Sequence, residues 1–273
     1  MVLNAASGSN DHAASAELIA ALESVGQGPA RTIDCAAQPL PSRGELEAAK
    51  VGVIACYTGD GTLNQLVTSL EGWRGAVLVL PGGTTNLLAK AIHGERPATE
   101  IAAALADLHR VRRNCLRSLA GTALIEVLAG PGAKWSDVRE GLREGDVAAV
   151  AGKTLEAAQA SAGGSMVALR EPALGKPGGY AGIRLTPENR GIAIQGYGAE
   201  TIAEYFRQGM ALLSRDFRSG PHDELGIHPT ARCTSADGSA IDLMIDGERT
   251  TAPAEITFSL AQLDLDLLAS SDG

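Results

Sequence analysis

The strongest pattern in this sequence is a pair of short apolar runs, each followed by a glycine-rich turn and a segment with helical spacing. The apolar runs are residues 51–57 and 76–80. A short, continuous apolar run is typical of a strand that is buried on both faces of a parallel sheet. Because parallel strands end at the same edge of their sheet, and ligands bind at that edge, we expect the two turns to lie together.

The two glycine turns have a composition that suits phosphate. Their sequences are Gly59-Asp60-Gly61-Thr62-Leu63-Asn64 and Pro81-Gly82-Gly83-Thr84-Thr85-Asn86. Glycine allows a ligand to approach the backbone closely, and each turn opens a helix whose N-terminus carries partial positive charge. Backbone N–H groups gathered in this way bind phosphate groups, so the pattern predicts a nucleotide site. The simpler alternative is that Asp60 and Thr62 only cap a helix.

The segment that precedes these turns alternates between strand and helix patterns. Its predicted elements are a strand at residues 1–4, a helix at 13–24, a strand at 32–36 and a helix near 42–50. A further helix is predicted near residues 98–108. Such alternation predicts a parallel sheet with helices on both faces. We therefore expect a three-layer α/β domain over residues 1–115, to which a C-terminal tail of about residues 262–273 returns.

The second half of the chain is dominated by strand patterns. Strands are predicted at residues 111–119, 122–128, 166–169, 180–185 and 191–197, with strands and turns across 226–258, and helices at 135–162 and 200–216. Asp-Gly pairs at Asp237 and Asp246 separate extended runs, as in antiparallel hairpins. The prediction for residues 116–261 is a mostly antiparallel β domain with inserted helices.

Composition narrows the class of protein. The chain has 273 residues, of which 45% are hydrophobic, so it has enough apolar material for two domains. A net charge of −9 argues against nucleic-acid binding, which needs a basic surface. There is no apolar stretch of about 18 residues and no secretory signal, so we expect a cytoplasmic protein. The four cysteines have no C-x-x-C spacing, which favours reduced thiols.

Four short segments resemble the diacylglycerol kinase catalytic-domain family, which includes bacterial soluble lipid kinases and the sphingosine and ceramide kinases. The family pattern is N-P-x-S-G, then G-G-D-G-T-x-N-E, then P-x-G-T-x-N-D, and a late D-G-E. The corresponding segments here are residues 4–8, 58–65, 81–87 and 246–248. The resemblance implies a fold with NAD kinase/diacylglycerol kinase-like topology, ATP and Mg²⁺ as cofactors, and a nucleotide site in a cleft between two domains.

By this resemblance the three turns hold the phosphates of ATP. The matching residues are Asn4, Ser7, Gly8, Thr58, Gly59, Asp60, Gly61, Thr62, Asn64, Gly83, Thr84 and Asn86. Asp60 would repel phosphate, so it would orient its turn or act through Mg²⁺ or a ribose hydroxyl. The family's metal-binding D-G-x-L-D-like segment has no counterpart with matching flanks, and the metal ligands stay unassigned.

The late acidic segment supplies the predicted catalytic residues, Asp246 and Glu248. Phosphoryl transfer requires charge neutralisation and a base near the acceptor hydroxyl. By resemblance one of the two carboxylates is the general base for a lipid hydroxyl, and the other supports the base or the metal. With Gly247 in a turn, both can face the cleft. The alternative is an exposed acidic hairpin turn, since Asp-Gly is common in such turns.

Several residues depart from the family pattern. Thr58 replaces the first glycine of the second turn, Gln65 replaces Glu, and Leu87 replaces Asp. Ala5 also stands where the family has proline. These departures favour a second hypothesis, in which the chain is a nucleotide- or lipid-binding regulator that has lost catalysis.

The basic residues Arg110, Arg112, Arg113 and Arg117 have two interpretations. They could contact anionic lipid headgroups, or they could form a solvated strand face.

The resulting functional prediction is an ATP- and Mg²⁺-dependent bacterial lipid kinase that phosphorylates a hydroxyl of a diacylglycerol- or sphingoid-type lipid. Its lipid substrate would be presented at a membrane surface, to which the protein would bind peripherally. A small-molecule kinase with the NAD kinase-like fold is the other enzymatic alternative. A homodimer formed through an open sheet edge is left open by the sequence.

Overall fold

The chain forms two compact units in a computed structural model that describes residues 1–4, 12–134, 165–198 and 222–270. One unit comprises Met1–Asn114 and Gln262–Gly273, and the other comprises Cys115–Ala261. The helices predicted at residues 135–162 and 200–216 lie outside the described residues, as do Ser7 and Gly8.

The first unit contains a six-stranded sheet with helices. Its strands are β1 (Val2–Leu3), β2 (Ile33–Asp34), β3 (Val53–Thr58), β4 (Ala76–Pro81), β5 (His109–Val111) and β17 (Asp266–Ala269). Its helices are α1 (His12–Ser24), α2 (Arg43–Ala48), α3 (Asp60–Ser69), α4 (Leu87–His93) and α5 (Ala98–Ala103). The strand order is β2-β1-β3-β4-β17-β5. All neighbours are parallel except β17 and β5, which are antiparallel.

Strand β4 lies in the core of this unit because both of its faces are apolar. Ala76, Leu78 and Leu80 pack in one cluster with residues of α1 and α5. Val77 and Val79 point to the opposite face, since side chains alternate along a strand, and they too are fully buried. Helices therefore cover both faces, as the continuous apolar run predicts.

In the ranges that the structure describes, the second unit contains two sheets. Its strands are β6 (Asn114–Ser118), β7 (Gly121–Ala123), β8 (Val127–Ala129), β9 (Val167–Glu171), β10 (Gly182–Glu188), β11 (Gly191–Tyr197), β12 (Asp223–His228), β13 (Thr230–Ser235), β14 (Ile241–Ile245), β15 (Glu248–Ala252) and β16 (Glu255–Gln262). The sheet orders are β12-β11-β10-β8-β14-β15 and β7-β6-β16-β13-β9. Residues of both sheets, such as Ile183 and Phe258, share one hydrophobic core. The predicted fold class is thus confirmed: parallel strands with helices come first, and a mostly antiparallel region follows.

One predicted strand, at residues 111–119, is divided between the two units. Val111 ends β5, which pairs with β17 in the first sheet, whereas β6, which starts at Asn114, pairs with β7 of the second unit. The expectation that Val111 begins a strand of a different sheet was therefore wrong. The local pattern of apolar and polar residues in 111–119 does not specify which sheet a strand joins.

The arginine cluster is partly neutralised by aspartates from the end of the chain. Arg110 Nη1 lies 3.0 Å from Asp266 Oδ2. Arg112 lies 2.8 Å from both Asp264 Oδ1 and Asp266 Oδ1. Arg117 Nη1 donates to the Thr122 hydroxyl at 2.7 Å. These contacts favour the strand-face interpretation, because the acidic partners are remote in sequence and could not be found by local inspection.

Candidate functional site

The two glycine turns meet at the carboxyl edge of the first sheet. Strands β3 and β4 run parallel, and their last residues, Thr58 and Pro81, are paired. The two turns that follow these strands therefore start side by side at the edge of the sheet. A Cβ atom on Gly83 would lie 2.5 Å from the Cα atom of Gly59, and one on Gly82 would lie 2.5 Å from the carbonyl carbon of Tyr57. The backbones are thus in direct contact, and no side chain fits between them.

The second turn is fixed by the side chain of Asn86. Its Oδ1 accepts the N–H of Gly83 at 2.8 Å, and its Nδ2 donates to the carbonyl of Gly83 at 2.9 Å. Asn86 itself has a left-handed backbone with a φ of 53°, which asparagine tolerates better than most residues. The side chain of Asn86 therefore holds the loop closed immediately before helix α4.

Asp60 connects the starts of the two helices. It is the first residue of α3, whose N-cap is Gly59 and which has no side-chain cap. The interpretation of Asp60 or Thr62 as a cap for α3 is therefore wrong. Instead, Oδ1 of Asp60 is 3.5 Å from the N–H of Leu88, in the first turn of α4. A carboxylate at this position interacts favourably with the positive end of a helix.

The two threonines of the first turn make local contacts. Thr58 is the last residue of β3 and is buried, with its hydroxyl 3.2 Å from the Cys56 thiol and 3.2 Å from the carbonyl of Gly59. Its side chain therefore does not occupy the open side of the turn, where the family has glycine. The half-buried Thr62 hydrogen-bonds Cys35, while burial raises the pKa of that thiol. Burial also raises the pKa of Cys56 to about 12, so both thiols are protonated at neutral pH.

The other predicted nucleotide-binding residues that the structure describes lie near the same edge of the sheet. Asn4 follows β1, which pairs in parallel with β3, and Asn4 is half-buried. Gly61 and Asn64 are half-buried in the first turns of α3, and Thr84 is exposed in the second glycine turn. This edge thus gathers residues from all three predicted turns.

The acidic segment of the second unit forms a tight hairpin turn between β14 and β15. Asp246 and Gly247 have φ angles of 48° and 93°, as in a two-residue turn of type I′. The Asp246 side chain is buried and accepts three consecutive backbone N–H groups. These are Leu124 at 2.7 Å, Ile125 at 2.9 Å and Glu126 at 2.9 Å. Glu248, in contrast, is exposed at the start of β15.

Residues 1–116 match the family model of the diacylglycerol kinase catalytic domain. The matched range contains both glycine turns and strands β1 to β5. It ends before the acidic hairpin, so the diacylglycerol kinase match covers the predicted nucleotide side and not the predicted catalytic pair.

Solved structures support the same fold for nearly the whole chain. A diacylglycerol kinase from Bacillus anthracis str. Sterne aligns with a TM-score of 0.61 and 14% identity, covering 98% of this chain and 95% of that one. A second structure from the same organism, provisionally described as a diacylglycerol kinase, aligns with a TM-score of 0.62 and 13% identity over 98% and 94% of the chains. At such low identity these similarities establish the fold alone. None of the curated protein sequences matches the chain.

The sequence analysis does not identify a set of four linked polar residues in the second unit: Glu126, Arg184, Gln195 and Glu224. Glu126 is almost fully buried, and its Oε2 accepts Arg184 Nε at 2.8 Å. Arg184 Nη1 also donates to Gln195 Oε1 at 3.2 Å, and Gln195 Nε2 donates to Glu224 Oε1 at 2.9 Å. The sequence signal that could have identified them is Glu126, the single acidic residue inside the apolar run at 123–129. A buried charge needs a partner, so such a residue predicts a basic or polar side chain beside it.

Among the described residues, no group of three or more His, Cys, Asp or Glu side chains is arranged to hold a metal ion. Asp60 is the carboxylate at the glycine turns, and Mg²⁺ in nucleotide sites commonly uses one or two carboxylates together with phosphates and water. Every helix in the described ranges is too short or too polar to cross a membrane.

Proposed function

We propose that this chain is an ATP- and Mg²⁺-dependent kinase that phosphorylates a hydroxyl group of a lipid of the diacylglycerol or sphingoid type. The observation that carries the proposal is the direct contact between the glycine turns at Gly59 and Gly83, within the range that matches the diacylglycerol kinase catalytic domain. The similarity to the Bacillus anthracis structures supports the same fold for the part of the chain beyond that range.

In this proposal residues 1–115 bind the nucleotide. The backbone of the two glycine turns, with Asn4 at the same edge, contacts the phosphates, and the close contact between the turns at Gly59 and Gly83 brings both backbones to one surface. Thr62 and Thr84 lie in the turns that surround the phosphates, and Asn86 keeps the second turn in shape. Asp60 orients the two helix starts and is the nearest candidate for a metal contact. Mg²⁺, when bound with the nucleotide, would neutralise the charge of the phosphates.

Residues 116–261 bind the acceptor lipid and provide the acidic pair Asp246 and Glu248. A carboxylate accepts the proton of the lipid hydroxyl, and the hydroxyl oxygen forms a bond to the γ-phosphorus of ATP. The bond from that phosphorus to the bridging oxygen breaks, and ADP leaves with the bonding electrons. The products are a lipid phosphate, ADP and one proton.

The nature of the lipid substrate determines where in the cell the protein would act. A long-chain lipid is presented at a membrane surface, so we propose a cytoplasmic protein that binds the inner membrane face peripherally. The second candidate function is a nucleotide- or lipid-binding regulator without turnover. The burial of Asp246 favours that candidate, because a general base must reach the proton that it accepts.

The deciding experiment is transfer of radiolabelled γ-phosphate from ATP to a total lipid extract, with thermal unfolding measured in parallel with and without ATP. We expect a labelled lipid and a higher Tm with ATP and Mg²⁺. Stabilisation by ATP without transfer to any lipid supports the regulator. Labelling of a soluble small molecule supports a small-molecule kinase. If ATP causes no stabilisation and no transfer, nucleotide binding itself is refuted.

A further inference from the structure

The tip of the β6–β7 hairpin presents a leucine to solvent. Leu119 is 96% exposed, whereas the other exposed large hydrophobic side chains that the structure describes are 40% to 47% exposed. The turn does not require leucine, because the hydroxyl oxygen of Ser118 accepts the N–H of Ala120 at 3.2 Å and Gly121 provides the positive φ of 133°. Leu119 therefore adds no packing to the fold, and its side chain can enter a separate apolar phase without rearrangement.

The hairpin that carries Leu119 is basic. Residues 114–123 contain Arg117 and no aspartate or glutamate, in a chain whose net charge is −9. The guanidinium of Arg117 donates to the hydroxyl of Thr122, which is its partner across the hairpin, so this charge lies on the same pair of strands as the tip. An apolar side chain that can leave water and a cation beside it are the two features that bind a protein to an anionic lipid surface.

Two further arginines lie on the outer face of the five-stranded sheet that contains β6. Arg170 and Arg232 alternate along β9 and β13 with residues of the core, so they point away from it. Arg232 forms ion pairs with Glu171 and Glu255, which neutralise its charge. Arg170 is exposed, and its bond within the described ranges is to the hydroxyl of Thr234 at 3.1 Å. Because a hydroxyl does not neutralise a cation, Arg170 keeps its charge for a phosphate group.

The β6–β7 hairpin packs beside the acidic turn of the same unit. A Cβ atom on Gly121 would lie 3.9 Å from Cδ1 of Ile245, the residue that precedes Asp246. The segment that follows β7, Leu124–Glu126, supplies the three amides that bind the Asp246 carboxylate. A bilayer that receives Leu119 therefore lies next to the turn that the kinase proposal assigns to the lipid hydroxyl.

A bilayer fits this surface better than a protein partner does. The buried centre of a protein interface is formed by several apolar side chains. Here a single leucine stands among arginines and hydroxyl groups. One leucine side chain gains free energy by entering acyl chains, and arginines are attracted to the phosphates of anionic headgroups.

We infer that the β6–β7 hairpin and the adjoining outer face of its sheet dock this protein on membranes that contain anionic phospholipid. Leu119 inserts at the boundary between headgroups and acyl chains, and Arg117 and Arg170 contact headgroup phosphates. The inference rests on the proposed function, to which it adds the surface that meets the membrane. Docking of this kind is reversible, because one inserted apolar group anchors a protein only weakly.

The first test is co-sedimentation of the full-length protein, without ATP, with vesicles of equimolar phosphatidylcholine and phosphatidylglycerol. We expect the wild type to bind these vesicles and to bind pure phosphatidylcholine vesicles more weakly. Leu119→Ser should lower the affinity for the mixed vesicles by about tenfold or more, because the inserted side chain is lost. Arg170→Gln should lower it by about fivefold.

Two matched variants control for the loss of an exposed apolar group or of a charge. Ile227→Thr changes an exposed residue of β12, and Arg190→Gln changes an exposed residue of the β10–β11 turn, both in the other sheet of the unit. Both should bind the mixed vesicles as the wild type does. Thermal unfolding should be close to that of the wild type in all four variants, since each altered side chain is exposed. Equal losses of affinity in test and control variants would overturn the inference.

Tryptophan fluorescence tests insertion directly. In Leu119→Trp the added emission, measured against the wild type, should shift to shorter wavelength with the mixed vesicles and should be quenched by lipids with brominated acyl chains. Emission that stays at the wavelength seen in buffer, with no quenching, refutes insertion at this tip.

The docking surface and the kinase proposal can fail separately. If the wild type binds no vesicles but phosphorylates a water-soluble short-chain diacylglycerol, the docking surface is refuted and the kinase proposal stands. If the wild type and the variants bind vesicles as expected but phosphate is transferred to no lipid, the kinase proposal fails while the hairpin stands as a membrane-binding site.

Discussion

The Cα atom of Gly59 lies only 2.5 Å from the point that a Cβ atom on Gly83 would occupy. Real side chains do not tolerate this separation, and the obstructing atoms belong to the backbone, so they cannot rotate away. The contact joins the ends of two neighbouring strands and brings their turns into one surface. Its immediate consequence is that residue 83 is restricted to glycine by the neighbouring strand, independently of any ligand.

We expect Gly83→Ala to lower the free energy of unfolding by about 1–3 kcal/mol through overpacking, and to abolish the thermal stabilisation by ATP. Gly44→Ala is the matched control, because Gly44 lies in helix α2 and an added Cβ atom there would have no described atom within 4 Å. That change should leave ATP stabilisation intact and should raise stability slightly, since alanine favours helix. Equal ATP shifts in both variants would disprove the assignment of the turn.

Asn86 permits a separate test of loop shape and backbone strain. Asn86→Ala removes both hydrogen bonds to Gly83 and places alanine at a φ of 53°, so we expect a loss of about 1–3 kcal/mol in unfolding free energy. Asn86→Gly removes the same hydrogen bonds but relieves the strain. The glycine variant should therefore be more stable than the alanine variant, while both should bind ATP more weakly. Wild-type affinity in both would show that the side chain has no role in shaping the loop for ATP.

Local sequence patterns were sufficient for the part of the fold around the glycine turns. The apolar run that became β4 is buried from Ala76 to Leu80, and β3 is mostly buried after its exposed first residue, Val53. The turns that follow these strands open α3 and α4. These features depend on residues that are close in sequence, because strand burial and helix initiation leave short signals. The division into an α/β part and a mostly antiparallel part followed from the strand and helix patterns, and the family resemblance added the topology.

Long-range pairing was not predictable in the same way. Asp246 is bonded to amides about 120 residues earlier in the chain. Asp266 pairs with Arg110 across a gap of 156 residues. Such contacts depend on which strands become neighbours, and no local pattern encodes that choice. The sequence also did not indicate that the Thr58 side chain is buried at the end of β3, where its hydroxyl contacts the Cys56 thiol.

The ion pairs of Arg110 and Arg112 lead to a prediction about membranes. If these arginines only form ion pairs within the first unit, the double variant Arg110→Gln/Arg112→Gln should bind vesicles with anionic lipid as the wild type does. It should unfold at a slightly lower temperature, because the ion pairs are lost. If each arginine contacts lipid headgroups instead, affinity should fall by about fivefold for each residue removed. Co-sedimentation with phosphatidylglycerol-containing vesicles distinguishes these outcomes. Arg249→Gln, on an exposed strand of the second unit, is a suitable control for net charge.

His93 predicts a specific pH dependence of stability in the first unit. Burial lowers the pKa of this histidine from 6.5 to about 4, and its Nδ1 lies 2.6 Å from the Ser270 hydroxyl. In the unfolded chain the imidazole is protonated below pH 6.5, whereas in the folded protein it stays neutral until about pH 4. Protons are therefore bound preferentially by the unfolded state in this window. The contribution of the neutral His93 side chain to the free energy of unfolding is therefore complete above pH 6.5, and it is lost as the pH falls towards 4.

We expect His93→Gln to remove this contribution, which amounts to at most about 3 kcal/mol. The difference in unfolding free energy between wild type and variant should change progressively between pH 6.5 and 4, as measured by urea titration at each pH. Ile92→Val is the matched control, because Ile92 is fully buried in the same helix and carries no titratable group. Its loss of about 1 kcal/mol should be the same at every pH. If the difference for His93→Gln is also the same at every pH, the pKa of His93 is equal in the folded and unfolded states. Burial of His93 is then not the cause of any loss of stability at acidic pH.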